Sequence, residues 1–336
     1  MKTINRVGGI DLVKCIAILF VISVHFFFNN GFYTEPMQGA KMFIATFLRW
    51  LFYTCVPLFI LTTGYLMRNK ELNKKYYKPL PKIIITYLII SVVTLILRRY
   101  YFQDGLTWRE GIKGLFFFNT NEYAWYVNMY IGLFLLIPFL NVLYNNLQTQ
   151  NGKLILILSL VLLSGVPILM PNYWKIIYPL TYYFIGAYIN EYPIKTGKSY
   201  VVLLAFAVLL TETMISFFAS IIKNVPFIWY GDYGILSNVI LSTCFFVALY
   251  DIKIQNAILN FILIPISKLT LEIYLISYLI DRLVYPQIKQ FFSSSTEMLP
   301  YYVVIVPFIF LISVLLAIIL NFTQKKIFTY RRKKDK

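Results

Sequence analysis

Long apolar runs, separated by short polar connections, make up most of this sequence. Runs near or above ~18 residues are typical of helices that span a membrane. The pattern therefore predicts an all-α fold, a polytopic transmembrane helical bundle with about ten spans. The predicted spans cover roughly residues 9–29, 41–67, 82–102, 125–146, 154–171, 174–190, 200–222, 233–250, 269–287 and 300–323.

Two parts of this pattern are ambiguous. The turn MPNYW (170–174) barely separates the fifth and sixth runs, and the segment NAILNFILIPIS (256–267) is short enough to lie in the membrane interface. The first run follows Lys2 and Arg6 but precedes no small-residue cleavage site, so we interpret it as a retained span and not as a signal peptide.

The composition supports a membrane protein. Hydrophobic residues make up 59% of the chain and charged residues only 13%, whereas a soluble domain carries about a quarter charged residues. We expect one domain over residues 1–336, because no connection is long enough to fold alone. The three cysteines lie in apolar runs and are typical of small buried hydrophobes. With a single histidine they argue against a zinc site, and no bound metal or cofactor is expected.

The net charge of +17 is explained by the lipid bilayer and not by nucleic acid. With the N-terminus in the cytosol, twenty lysines and arginines fall in cytosolic segments and eight in outer ones. This bias, with the even number of spans, predicts a multi-pass protein of the cell membrane with both termini cytosolic. The basic loops and tail would also contact anionic headgroups.

The first run, DLVKCIAILFVISVHFFF (11–28), contains Asp11, Lys14 and His25, the sole histidine. In a helix, Lys14 and His25 share one face about 16 Å apart along the axis, and Asp11 is spaced to pair with Lys14. Charged groups at membrane depth are costly and usually face the bundle interior or a wet cavity.

Several roles for these side chains are open. Asp11 and Lys14 can form an ion pair with each other, or the lysine can extend to the membrane interface. His25 can be a buried imidazole that is hydrogen-bonded to a neighbouring helix. A neutral imidazole is also suited to act as a general base on a hydroxyl, or to carry an acyl group covalently. Asp281 and Arg282, adjacent near the end of the ninth span, are interpreted as facing headgroups.

A basic residue, ten intervening residues and then a histidine, as at Lys14 and His25, resemble the first-span signature of the acyltransferase-3 family of integral membrane acyltransferases. Lysine stands at 14, 75 and 78 where the family has arginine, which reduces a bidentate contact to a point charge. Ser277 stands where histidine is common, so His25 is the only imidazole available. Five more segments resemble family motifs in the family's order: VPLFILTTGYLMRN, KYYKPLPK, WYVNMYIGLFLLIP, TYYFIGAYI and SKLTLEIYLISYLI.

The resemblance implies transfer of an acyl group, commonly acetyl from cytosolic acetyl-CoA, to a hydroxyl of an envelope or exopolysaccharide glycan. Acetyl-CoA is then a co-substrate, which Lys75 and Lys78 would meet through its phosphates together with Lys14. Plain orientation by cytosolic lysines is the alternative. Near the outer face, a sugar acceptor would contact arginines and aromatic rings, although an aromatic belt with headgroup contacts is the simpler explanation. These candidates are Arg98, Arg99, Trp125 and Tyr126.

Two other functions fit the layout. A transporter or flippase of a lipid-linked glycan or an acyl group also has many spans and basic loops, but transporters often show broken spans in paired positions. Pro57, Pro138 and Pro167 form no obvious symmetric pair. A glycan polymerase usually carries a large outer loop, and the longest outer connection here, about residues 103–124, is short.

Overall fold

The computed structural model describes residues 8–166, 174–227 and 232–334, with side chains described as far as residue 325. Lys2, Arg6 and most of the predicted turn MPNYW lie outside these ranges. The described residues form helices joined by short connections and contain no strand. The α-helices are α1 Gly8–Asn29, α2 Gly39–Phe52, α3 Cys55–Met67, α4 Leu80–Tyr100, α5 Trp108–Phe116, α6 Trp125–Asn146, α7 Gln150–Gly165, α8 Tyr178–Glu191, α9 Lys198–Lys223, α10 Leu236–Leu249, α11 Ala257–Lys268, α12 Thr270–Lys289, α13 Ser295–Met298 and α14 Tyr302–Lys334.

Helix α1 lies at the centre of the bundle. It is apolar around most of its circumference, which is typical of a helix buried on all sides, and it packs against α2, α3, α11, α12 and α14. Its two ends define the directions used below. The inner end of the bundle is where α1 begins, near Asp11, and the outer end is where it finishes, near His25.

Glycines set the closest helix contact in the bundle, between α3 and α8. A Cβ atom on Gly64 would collide with the backbone carbonyl of Tyr183, and one on Gly186 would collide with that of Leu61. Only glycine permits this approach, as in other membrane helix pairs with small residues at the interface. The glycines of the motifs TTGY and FIGA therefore allow α8 to lie directly against α3.

Helices form at all ten predicted spans, but ten membrane spans are not confirmed. Among the described residues, six helical segments are long and apolar enough to cross a membrane, or seven if the bent pair α11–α12 counts as one. Helices α7 and α10 have 16 and 14 residues, and at 1.5 Å per residue they are shorter than the ~30 Å hydrocarbon core. Helix α8, also 14 residues, is equally short, and residues 167–171 of the fifth predicted span lie outside the described residues.

The start of α1 and the end of α14, the first and last helices described, approach the same end of the bundle. Gln324 of α14 donates a hydrogen bond from Nε2 to the hydroxyl of Thr86 at 3.3 Å. Thr86 and Lys14 line the same cavity. This placement agrees with the prediction that both termini lie on one side of the membrane. Helix α11 meets α12 at a bend of 74°, which brings Lys268 to the cavity.

Candidate active site

The only histidine of the chain, His25, lies near the outer end of α1 and faces α12. Its Nδ1 atom is 3.6 Å from Oδ2 of Asp281, within ion-pair range although longer than a direct hydrogen bond. Both residues are buried, at 7% and 2% exposure. A carboxylate on the Nδ1 side favours the tautomer that carries its proton there, which leaves Nε2 as the basic nitrogen.

Tyr123 holds this pair from two directions. Its ring stacks on the imidazole with centroids 3.6 Å apart and planes 27° apart. Its hydroxyl donates a hydrogen bond to Oδ2 of Asp281 at 2.7 Å. One phenol thus restrains both the plane of the imidazole and the position of the carboxylate. His25, Asp281 and Tyr123 are called the imidazole cluster below.

Helix α12 also fixes the short 3-10 turn that carries Tyr123. The hydroxyl of Tyr274 donates to the backbone carbonyl of Tyr123. The side chain of Asn121 donates to the carbonyl of Leu275 at 2.9 Å and accepts from the N–H of Tyr123 at 3.0 Å. The turn Glu122–Ala124 is therefore tied to the same helix that supplies the carboxylate.

A cavity of about 360 Å³ lies between α1, α3, α4, α6 and α12. Its inner part is lined by Lys14, Lys82, Lys268 and Glu272, and its lining extends outward to Tyr274. The ring of Tyr274 is 6.2 Å from the imidazole of His25, centroid to centroid. The cavity thus leads from a basic inner end to the edge of the imidazole cluster.

The charge of the cavity lining suits an anionic ligand. It carries three lysines and one glutamate. Glu272 is buried, and its Oε1 atom is 3.8 Å from Nζ of Lys82, whose side chain is 56% exposed. Lysine ammonium groups around an opening bind phosphate as point charges.

Of the residues predicted to act in catalysis, Lys14 lines the cavity and His25 belongs to the imidazole cluster. Asp11 is buried, and its Oδ1 atom accepts a hydrogen bond from Ser267 at 2.7 Å. This bond joins the start of α1 to α11. Asp11 is roughly 21 Å from His25 along the helix axis, so the structure does not bring it to the imidazole.

The predicted donor-binding residues, Lys75 and Lys78, are exposed in the connection between α3 and α4. Neither is among the residues that line the cavity. The lysine of this region that does line it is Lys82, in the first turn of α4. The role of Lys75 and Lys78 in donor binding stays a prediction.

Arg98, predicted to bind the acceptor, holds an outer loop instead. Its Nε atom donates to Oδ2 of Asp104 at 2.8 Å, and its Nη1 atom donates to the carbonyl of Thr120 at 2.9 Å. Arg282 donates to the other oxygen of Asp104 at 2.7 Å. Although burial alone would raise it, hydrogen bonds from Arg282 and Arg98 hold the pKa of Asp104 below its usual range.

Arg99 also contacts this loop. Its Nη1 atom donates to the carbonyl of Leu106 at 2.6 Å, and its guanidinium lies 5.2 Å from the ring centroid of Trp108. The contacts of Arg98 and Arg99 are therefore structural, and their predicted contact with an acceptor stays a prediction.

The predicted aromatic contacts take different positions. Trp125 is 40% exposed and stacks on Tyr233 with centroids 5.8 Å apart. Tyr126 lines the cavity, with its ring 5.7 Å from that of Tyr274. Trp125 thus presents an accessible ring near the outer end of the bundle, whereas Tyr126 faces the inner route to the imidazole cluster.

Four of the residues that build the site were not predicted from the sequence. The expectation that Asp281 faces headgroups is wrong, because the carboxylate is buried against Tyr123 and His25. The available signal was a carboxylate in the apolar helix LISYLID, one turn after Ser277. The other three residues are Tyr123, Lys82 and Lys268. The two lysines lie in the quoted segments KYYKPLPK and SKLTLEIYLISYLI, whereas no pattern pointed to Tyr123.

Comparison with known proteins identifies the family of the chain. The model of the acyltransferase domain of the acyltransferase-3 family matches residues 7–318, which is nearly the whole chain. Searches of curated proteins and of solved structures find no significant match. The match contains α1, α3, α4, α6 and α12, and with them every residue of the imidazole cluster and of the cavity. The chain therefore belongs to the acyltransferase-3 family and is a membrane acyltransferase.

Proposed function

We propose that this protein is a membrane O-acyltransferase, by default an O-acetyltransferase. It transfers an acyl group from a cytosolic acyl-CoA to a hydroxyl of a cell-envelope or exopolysaccharide glycan. The observation that carries the proposal is the pairing of the sole imidazole with the buried carboxylate of Asp281, beside Tyr274 in the lining of a cavity with a basic inner end. Buried titratable groups in such a place are characteristic of active sites.

The donor enters from the inner end. Its phosphates contact Lys14, Lys82 and Lys268, and its flexible arm extends along the cavity toward Tyr274. Lys14 and His25 are about 16 Å apart along α1, so an extended arm carries the thioester to the imidazole cluster while the phosphates stay at the lysines. No cofactor remains bound between turnovers in this scheme.

The imidazole removes the proton from the acceptor hydroxyl at Nε2 as the oxygen attacks the thioester carbonyl. The C–O bond forms, the C–S bond breaks, and the imidazolium returns its proton to the departing thiolate, which leaves as free CoA. Asp281 stabilises the imidazolium while it exists, and Tyr123 keeps the two side chains aligned. An acyl relay on Nε2 requires the same three residues and leads to the same products.

The acceptor reaches the imidazole from the outer end. The side chain of His25 retains 10% exposure while its Nδ1 atom is buried, so the accessible part of the ring is the side away from Asp281. The exposed ring of Trp125 offers a face on which a sugar can stack. Donor and acceptor thus approach one imidazole from opposite ends of α1.

Transfer and transport can be separated in proteoliposomes. The purified protein is supplied with acetyl-CoA on its inner side and envelope glycans on its outer side, and the glycans are analysed by mass spectrometry. A mass increase of one acetyl group per modified hydroxyl, with release of CoA, is expected. Relocation of an acyl group or glycan without a new covalent bond would instead support the transporter alternative and contradict the proposal.

A further inference from the structure

The part of the cavity wall nearest to His25 along α1 is apolar. Val21 of α1 and Val56 of α3 line it together with Phe59, Tyr126 and Tyr274. The ring of Phe59 lies 6.0 Å from that of Tyr126, and Val56 is three residues before Phe59 on the same helix face. Both valines are buried, at 3% exposure.

The position of Val21 along α1 relates it to the reacting groups. It follows Lys14 by about 10 Å along the axis and precedes His25 by one helical turn. A donor whose phosphates contact the inner lysines therefore brings its thioester beyond Val21, and the carbon chain of the acyl group lies against the apolar wall. This argument rests on the proposed function, because it uses the direction in which the donor enters.

We propose that Val21 and Val56 determine the length of the acyl group that this protein accepts. The two branched side chains occupy the space next to the thioester that a third or fourth acyl carbon would need. In a hydrophobic pocket, one methylene changes discrimination by about 10–200-fold. Short acyl groups are therefore selected by the volume that the valines leave, and longer ones are excluded.

The test compares the binding of acetyl-CoA, propionyl-CoA and butyryl-CoA to the full-length protein in lipid nanodiscs. V21A and V56A remove methyl groups from the wall, and V247A is the matched control, a buried valine of α10 that does not line the cavity. We expect V21A and V56A to raise the affinity for propionyl-CoA relative to acetyl-CoA about tenfold. The V247A protein should keep the wild-type ratio.

A variant with a larger side chain at position 21 tests whether the effect of V21A comes from the volume of the wall and not from a general loss of packing. V21I adds a methylene at the same wall, and we expect it to weaken propionyl-CoA binding more than acetyl-CoA binding. Unchanged ratios in V21A, V56A and V21I, with acyl-CoA still bound, would overturn this inference and leave the proposed function intact. Failure of the wild-type protein to bind any acyl-CoA would overturn both.

Discussion

The two ends of the bundle hold their cations in opposite ways. At the inner end, three lysines and a single glutamate line an open cavity. Lys82 and Glu272 form an ion pair there whose atoms are 3.8 Å apart, and the lysine side chain is 56% exposed. At the outer end, Arg98 and Arg282 each bond to Asp104 at 2.7–2.8 Å, and their side chains are only 15% and 31% exposed.

This difference distinguishes cations that are suited to bind a ligand from cations that hold a loop in place. A cation in a loose, exposed pair can exchange its partner for a phosphate at little cost, because exposed ion pairs contribute only about 0–1 kcal/mol. Arg98 and Arg282, by contrast, already donate hydrogen bonds to one carboxylate of the protein, that of Asp104. We therefore assign the inner cations to the donor and the outer arginines to the loop that carries the turn Glu122–Ala124.

The largest effect short of removing the imidazole is expected from Asp281→Asn. The amide keeps the shape of the side chain but cannot stabilise the imidazolium, and such a change lowers turnover by about a thousandfold or more in comparable pairs. Acyl transfer by equal amounts of membrane-inserted protein measures it. Asp104→Asn, a carboxylate at the same end of the bundle, is the control and should retain turnover. Equal turnover of the Asp281→Asn and Asp104→Asn proteins would show that the carboxylate of the imidazole cluster matters no more for catalysis than the carboxylate that pairs with Arg98 and Arg282.

Tyr123→Phe separates the two contacts of Tyr123. It removes the hydrogen bond to Asp281 and keeps the ring that stacks on His25. Hydrogen bonds to charged groups contribute about 1.5–3 kcal/mol, so kcat should fall roughly ten- to a hundredfold, with little change in KM for the donor. Tyr123→Leu, which also removes the stacked ring, should lower kcat further. A Tyr123→Phe protein with wild-type kcat would show that the hydroxyl does not position the carboxylate.

Removing charge at the inner end should affect the donor and not the chemistry. Lys82→Ala and Lys268→Ala are each expected to raise KM for acyl-CoA about tenfold with kcat retained, and the increase should shrink at high salt because screening weakens the wild-type contacts. Lys75→Ala and Lys78→Ala are the matched exposed variants, and the cavity geometry predicts smaller changes for them. Larger effects at 75 and 78 would favour the assignment made from sequence over the one made from the cavity.

The smallest effect is on stability, and it depends on pH. The folded-state pKa of Asp104 lies below its usual value, so its pairs with Arg98 and Arg282 stabilise the fold above the unfolded pKa and lose that contribution as pH falls through the folded pKa. Asp104→Asn should lower the free energy of unfolding by about 1 kcal/mol near neutral pH, because solvent screens the ion pairs of this exposed residue. Thermal unfolding in detergent should show a gap of a few degrees at pH 7 that closes toward acid pH. A gap that persists unchanged at low pH would contradict the ion-pair explanation.

Much of the fold follows from the sequence because lipid leaves the backbone few options. Apolar runs must form helices in a membrane, and the described residues of all ten predicted runs contain a helix. The number of spans did not follow, since hydropathy does not fix where a short helix such as α7 ends or how sharply α11 meets α12. Helical periodicity was enough to place Lys14 and His25 on one face, and the structure puts them at the cavity and at the imidazole cluster.

Asp281 and Arg282 show why the rest of the site could not be predicted. Adjacent residues on a helix point about 100° apart, so one faces the bundle and the other the outer loop. Which one does so depends on how α12 rotates against α1, and that rotation is set by packing over the whole helix. The same holds for Lys82, because only the approach of α4 to α12 places it opposite Glu272.

The central claim is that His25 carries out acyl transfer. It is tested most directly by measuring acetyl transfer to envelope glycans by mass spectrometry, in membranes that contain equal amounts of wild-type and His25→Ala protein. The account predicts that the variant inserts normally and that the rate of acetyl transfer falls by about a hundred- to ten-thousandfold. Transfer at the wild-type rate by the His25→Ala protein would contradict the account.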